Sequence, residues 1–280
     1  MSKKIFICAS DLAVITGHNP YKQKDEIILK YWKKHYKNDY LKCVQDLEKN
    51  NIPLKLQENH FECINRISKE HNLNIQSDIS KCLNTKNIDD LNKNRENLLK
   101  KSLDKIPEKQ KAKFQESIDR MAFTNFGIKY ENNGMEIYKK KTKNHVIIDR
   151  TYYKSDLFHI EYEDEIDEWF IGGKVDGIAY NSKNEKIIVE IKNRVKGLFN
   201  SLRDYEKVQC YAYMYVLDIH KIHLAETLKS NKSNAMNIIE IDFDLKFWEK
   251  SIEKKIEEFV DDFYNFLENE DRKYRLLSII

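Results

Sequence analysis

The stretch Gly172–Lys192, GGKVDGIAYNSKNEKIIVEIK, reads as two short apolar runs joined by a polar turn over 181–186. Asp176 stands at the end of the first run, and Glu190 with Lys192 at the end of the second. Side chains alternate along a strand, so Glu190 and Lys192 share one face while Ile191 points the other way. A hairpin sets Asp176 beside them. Two carboxylates and an ammonium then converge, a group that is costly to desolvate unless something pairs it. A divalent cation held by Asp176 and Glu190 meets that need, so the stretch reads first as a metal site.

Working outward, 280 residues are enough for one sizeable domain, or for one domain carrying a large insertion. A charged fraction of 34% and a mean hydropathy of −0.72 argue against any membrane span, and no apolar run approaches bilayer length. The N-terminal MSKKIFICASD has too short an apolar patch for a signal-peptide core, so an intracellular, non-secreted protein is expected. The five cysteines are odd in number, widely spread and without a CxxC pair, which predicts free thiols. His60, Cys63 and Cys82 lack zinc-site spacing. With a net charge of only +3, no whole-molecule basic field announces nucleic acid. Two local clusters remain, Lys139–Lys140–Lys141 with Lys143, and Lys192, Arg194 and Lys196; a solvated surface is the plainer reading of any lysine run.

Near the N-terminus, a short apolar run precedes a predicted helix with Ser10 as N-cap, Asp11 in its first turn, and Gly17 then Asn19-Pro20 as its stop. The open end of such a helix can seat a phosphate, or Ser10 can be an ordinary cap. A second helix is expected from Asp25 to about Asn38. Residues 39–112 suggest several short helices, a helical insertion or subdomain. From Phe114 to Tyr138 a helical pattern continues, with Gly127, Glu131, Gly134 and Tyr138 on one side. Two glycines on that face suggest close approach of another backbone, with Glu131 projecting into the gap; a surface glutamate beside a loop at Asn132-Asn133-Gly134 reads equally well. Strands follow at 145–148, 158–162, 168–171, 173–180 and 186–191, a helix over 204–217, strands at 221–225 and 237–241, and an amphipathic helix from Asp244 to about Glu268. The inward stripe of that last helix runs through Leu245, Trp248, Ile252, Ile256, Phe259, Val260 and Phe263.

Taken in order, the chain presents a helical glutamate, a strand aspartate, Glu-x-Lys on the next strand, and a helix with Gln209 and Tyr213 four apart. This order resembles the PD-(D/E)xK nuclease superfamily, and within it the YqaJ-like, lambda-exonuclease-like group of viral recombinases. Asp176 with Glu190-Ile191-Lys192 matches the signature, although Val175 stands where proline is expected. Ala9-Ser10-Asp11-Leu12 with Asn19-Pro20-Tyr21, Gly127-x3-Glu131-x2-Gly134-x3-Tyr138 and Gln209-x3-Tyr213 resemble three further motifs of the group.

The resemblance implies an α/β (α+β) fold, a central mixed sheet of about five strands flanked by helices, in a single nuclease domain over 1–280 with the insertion at about 39–112. It implies a metal-dependent DNA exonuclease acting from 5′ ends of linear duplex in recombination, repair or genome processing. The cofactor would be Mg²⁺ or Mn²⁺, held by Asp176, Glu190 and the Ile191 carbonyl, with Glu131 completing the shell. Lys192 would orient the attacking water, and Gln209 would fix the lysine or a metal water. Ser10 would receive the terminal phosphate, with Lys3 or Lys4 as basic partner, and Tyr213 would contact the DNA backbone or simply pack; Arg194 and Lys196, directly after the active strand, fit a phosphate-contact role, with plain surface charge as the competing reading. DNA ends are the expected partner; a homo-oligomer, by analogy with the family's rings, and a single-strand annealing protein are left open, as are the cytoplasm or nucleus of a host cell. Two other readings stand beside this one: an endonuclease or single-strand or structure-specific nuclease, and a catalytically silent DNA-binding scaffold.

Overall fold

The computed structural model describes residues 2–55, 58–229 and 234–278. Its first half holds β1 (Lys3–Cys8), α1 (Ala9–Ile15), α2 (Lys24–His35), α3 (Lys37–Lys49), α4 (His60–Glu70), α5 (Gln76–Leu83), α6 (Ile88–Leu103), α7 (Glu108–Lys129) and α8 (Glu131–Thr142). The second half holds β2 (His145–Ile147), β3 (Tyr152–Tyr162), β4 (Glu165–Lys174), β5 (Gly177–Tyr180), β6 (Lys186–Asn193), α9 (Asp204–Leu217), β7 (Lys221–Lys229) and β8 (Asn234–Asp242). A helical run over 245–268, widened by one turn at Trp248–Glu253, and a last helix, Glu270–Leu277, complete it. Among the described residues no helix is long and apolar enough to cross a membrane.

The fold is mixed α/β, as expected, but the strands divide between two sheets. A five-stranded sheet has the order β2-β5-β6-β7-β8, with β6 and β7 parallel and the other neighbours antiparallel. A three-stranded sheet, β1-β4-β3, stands apart from it. The strand expected over 173–180 is therefore interrupted: β4 ends at Lys174, Val175 and Asp176 cross over, and β5 starts in the other sheet. The β3–β4 hairpin turns on Glu163 and Asp164, both at positive φ (51° and 63°), the backbone twist that suits a two-residue connection.

Packing explains the apolar run of β6. Ile188 joins the large core under α1, α2, α9 and the 245–268 run, whereas Ile187, Val189 and Ile191 join Met135 and Tyr138 of α8 on the opposite face. A strand covered on both faces reads as near-continuous hydrophobe, so Glu190 stands out in it. The β6–α9–β7 segment is a parallel crossover, which lays α9 back along β6.

The helical insertion has its own core, built from Ile64 and Ile67 of α4, Cys82 of α5, Leu91 and Leu98 of α6, and Phe114, Ile118 and Met121 of α7. Its limits differ from the expected 39–112. Cys43 and Leu47 of α3 belong to the large core, because α3 packs back along the terminal helix, and α7 belongs to the insertion. Leu245 is also corrected: it is 58% exposed, and the inward stripe begins at Trp248. All five cysteines are free thiols.

Candidate active site

The β5–β6 pairing sets Gly177 opposite Val189, which brings the preceding Asp176 alongside Glu190. Asp176 Oδ2 accepts from the Ile191 N–H at 2.7 Å. Burial, with the charge of Glu190 next in weight, pushes the Asp176 carboxyl up from 3.8 to about 7. Glu190 is itself buried, at 5% exposure. Its Oε1 accepts from Lys192 Nζ at 2.8 Å and from Gln209 Nε2 at 3.3 Å.

Lys192 Nζ also donates to Gln209 Oε1 at 3.0 Å. Burial works to lower the lysine, yet the charge and hydrogen bond of Glu190 outweigh it, and Lys192 is pushed up to about 12. Gln209 in turn donates to the Tyr213 hydroxyl at 2.9 Å. Tyr213 is buried, and a Cβ placed on Gly173 would meet its ring at 2.7 Å. Of its two expected roles the structure favours packing over contact with the DNA backbone: the phenol lies against β4 and accepts from Gln209.

Glu131 is less simply placed. The helix expected through Phe114–Tyr138 breaks at Tyr130, so Glu131 opens α8 instead of continuing α7. Its charge is close enough to raise Asp176, but its Oε2 accepts from Arg150 Nη1 at 3.1 Å. Gly134 does mark a close approach, to side chains and not to a backbone: an added Cβ would lie 2.5 Å from Ile191 Cγ2 and 3.3 Å from Thr227 Cγ2. Gly127 has open space at that position, while its carbonyl accepts from Asn193 at 2.7 Å. Tyr138 is buried, its hydroxyl 2.7 Å from His223 Nδ1.

Among the described residues no three His, Cys, Asp or Glu side chains form a ready-made metal cage. What exists is a carboxylate pair, Asp176 and Glu190, with the Asp176 carboxyl raised to about 7 by burial and by the charge of its neighbour. That donor chemistry fits a hard divalent cation.

Of the other expected phosphate contacts, Ser10 and Lys196 are exposed, whereas Arg194 and the basic partners Lys3 and Lys4 are engaged within the protein. Ser10 is exposed, but α1 begins at Ala9 with Cys8 as its cap residue, and Ser10 caps nothing. The parallel register of Cys8 with Gly172 keeps Ser10 at the end of the sheets from which Asp176 emerges. Lys3 and Lys4 lie at the other end of β1, paired with Glu165 and Glu168 at 2.6 and 3.8 Å, so neither partners Ser10. Arg194 is only 10% exposed, and its guanidinium bridges buried Glu206 and Glu226. It is committed inside the protein and is not free for phosphate, whereas Lys196 is exposed. Lys196 borders a cleft of about 760 Å³ between the two cores, also lined by Tyr21, Lys22, Arg120 and Phe123.

Sequence reasoning overlooked Arg150, Glu206 and Glu226. A signal existed for the last two: Glu206 precedes Gln209 by one turn on the same helix face, and Glu226 is the single acid in the strand stretch KIHLAETLK.

No curated protein matches the chain. Among solved structures, an alkaline exonuclease (LHK-Exo) from Laribacter hongkongensis is similar at 13% identity, covering 71% of this chain and 92% of that one, with a TM-score of 0.40. LHK-Exo in complex with dAMP gives 13%, 71% and 91%, with a TM-score of 0.37. A phage-related exonuclease from Haemophilus somnus 129PT gives 12%, 54% and 70%, with a TM-score of 0.31. The YqaJ-like viral recombinase domain model matches residues 77–224, which carry Glu131, Asp176, Glu190, Lys192 and Gln209 and span just over half of the sequence. With that match laid over the clustered side chains, the chain belongs to the YqaJ-like viral recombinase family.

Proposed function

We propose that this chain is a metal-dependent DNA exonuclease that hydrolyses phosphodiester bonds from the 5′ ends of linear duplex, in phage-type or viral recombination, repair or genome processing. The observation that carries the reading is the Lys192 ammonium suspended between Glu190 at 2.8 Å and Gln209 at 3.0 Å, beside an Asp176 carboxyl raised to about 7. A structural ion pair has no need of an adjacent acid raised this far by burial and by the charge of Glu190. A hydrolytic site does.

Asp176 and Glu190, with the Ile191 carbonyl, would hold Mg²⁺ or Mn²⁺, and Glu131 would join them on leaving Arg150. Bound there, the cation supplies neutralisation of phosphate charge and a water of lowered pKa. Lys192, whose ammonium keeps one N–H beyond those given to Glu190 and Gln209, would orient an attacking water and favour its deprotonated form. Gln209 keeps Lys192 from collapsing wholly onto Glu190, because its amide oxygen offers the ammonium a second acceptor. Ser10 and Lys196, both open to solvent, are the phosphate contacts that the reading retains. The cleft along Tyr21, Lys22, Arg120 and Lys196 offers basic and aromatic groups to a strand entering the site.

The test is Mg²⁺-dependent release from 5′- and 3′-end-labelled linear duplex, with closed circular DNA as the comparison. Lys192→Ala and Glu190→Ala each should abolish cleavage while the fold survives. Undiminished cleavage in both refutes the site, and equal cutting of circles replaces the exonuclease by an endonuclease.

A further inference from the structure

Arg194, expected to touch phosphate, instead joins three elements at the edge of the site. Its Nη1 and Nη2 donate to Glu206 of α9 at 2.7 and 2.9 Å, and its Nε donates to Glu226 of β7 at 2.8 Å. Glu226 is fully buried and also accepts from the backbone N–H of Asn200 at 3.0 Å and of Phe199 at 3.4 Å. The Phe199 ring meets the guanidinium groups of both Arg194 and Arg203, at 4.2 and 4.4 Å. The whole connection from β6 to α9 is thus gathered round one cation.

The spacing gives the cluster a purpose. Residues 190, 192 and 194 succeed one another on one face of β6 and its extension, while Glu206, Gln209 and Tyr213 succeed one another on one face of α9. The helix runs back along the strand, so the contacts form a ladder: Arg194 to Glu206, then Lys192 to Gln209, then Gln209 to Glu190. A bidentate guanidinium–carboxylate fork has one geometry, so the first rung sets the axial position of α9 for the next. From this geometry we infer that Arg194 is a positioning residue: clamped by Glu206 and Glu226, it fixes α9 so that Gln209 holds Lys192 in its working orientation. This role presupposes that Lys192 and Gln209 serve the nuclease reaction proposed for the site.

The test is a double-mutant cycle on Mg²⁺-dependent cleavage of linear duplex by wild type, Arg194→Lys, Gln209→Ala and the double variant, with urea unfolding of each. Lysine keeps the charge but cannot engage both carboxylates. Arg194→Lys and Gln209→Ala each should lower kcat about tenfold, the low end for residues that orient a metal site, with KM for DNA unchanged. The double variant should be no worse than Gln209→Ala alone. Multiplied losses, about a hundredfold together, overturn the inference, since damage that bypasses Gln209 would persist without it. Glu206→Gln repeats the cycle should Arg194→Lys fail to fold. A second readout needs no cleavage: the ¹⁵N-labelled Lys192 ammonium should give a slowly exchanging NMR signal that moves alike in Arg194→Lys and Gln209→Ala. An unmoved signal in Arg194→Lys overturns the inference. Should wild type cleave no DNA, the nuclease reading falls, and the ammonium signal still decides whether Arg194 positions Lys192.

Discussion

Replacing Asp176 by asparagine should stabilise the metal-free protein at alkaline pH while removing its response to divalent cations. The carboxyl is raised from 3.8 to about 7, first by burial and then by Glu190. A raised acid in the folded state means that the native protein binds the proton more tightly than the unfolded chain. Stability is therefore fully present below pH 3.8 and declines as pH climbs through about 7. At about 1.4 kcal/mol per pH unit, the loss reaches at most about 4 kcal/mol. Asparagine has nothing to ionise, and its amide oxygen can still accept from the Ile191 N–H. In urea unfolding with chelator present, wild type and Asp176→Asn should lie within about 1 kcal/mol at pH 4. By pH 8 the variant should lead by about 2–4 kcal/mol, the lower figure allowing for water reaching the carboxyl. Mg²⁺ at a hundred times its dissociation constant should then restore about 2.7 kcal/mol to wild type and nothing to the variant. A gap that stays flat from pH 4 to 8, or equal stabilisation of both proteins by Mg²⁺, would refute the reasoning.

Gly134→Ala should lose about 1–3 kcal/mol, because its methyl would sit 2.5 Å from Ile191 Cγ2. The helix-propensity gain of about 1 kcal/mol is smaller, and denaturant midpoints decide the sign. Arg194→Met leaves Glu206 and Glu226 buried without their cation, and calls for a loss of about 3–5 kcal/mol in urea titration, well beyond that of an ordinary surface arginine. Within the C-terminal run, Leu245→Ser should change stability by less than about 0.5 kcal/mol, whereas Phe263→Ala should cost about 3–5 kcal/mol. A comparable thermal shift in both would contradict the burial that separates them.

The elements legible in advance are those whose cause is local. Helix α9 spans Asp204–Leu217 as its apolar spacing predicts, and the acidic turn at Glu163-Asp164 closes a hairpin. The expected break after Gly17 likewise falls where that residue takes φ +76°. The helix through Tyr130 misled because its side-chain period runs on across the break. Beyond the break, α8 lies against Ile191 and Thr227, residues distant in sequence. Nor could periodicity separate α3 from the insertion, since both present the same short amphipathic pattern and differ only in which core receives it.

By itself, the sequence determined the meeting of Asp176, Glu190 and Lys192: a single hairpin connects them, and strand alternation decides which side chains share a face. It also placed Gln209 one helix further on. The tertiary structure decided how charges distant in sequence are used. Glu226, brought beside Arg194 by the β6–α9–β7 crossover, turns an expected phosphate contact into an internal clamp. Arg150 likewise takes hold of Glu131, and the division of the strands into two sheets leaves Asp176 on the crossing between them. The physical reason is that burial and pairing of a charge depend on its neighbours in space, which a residue's own stretch of chain does not specify.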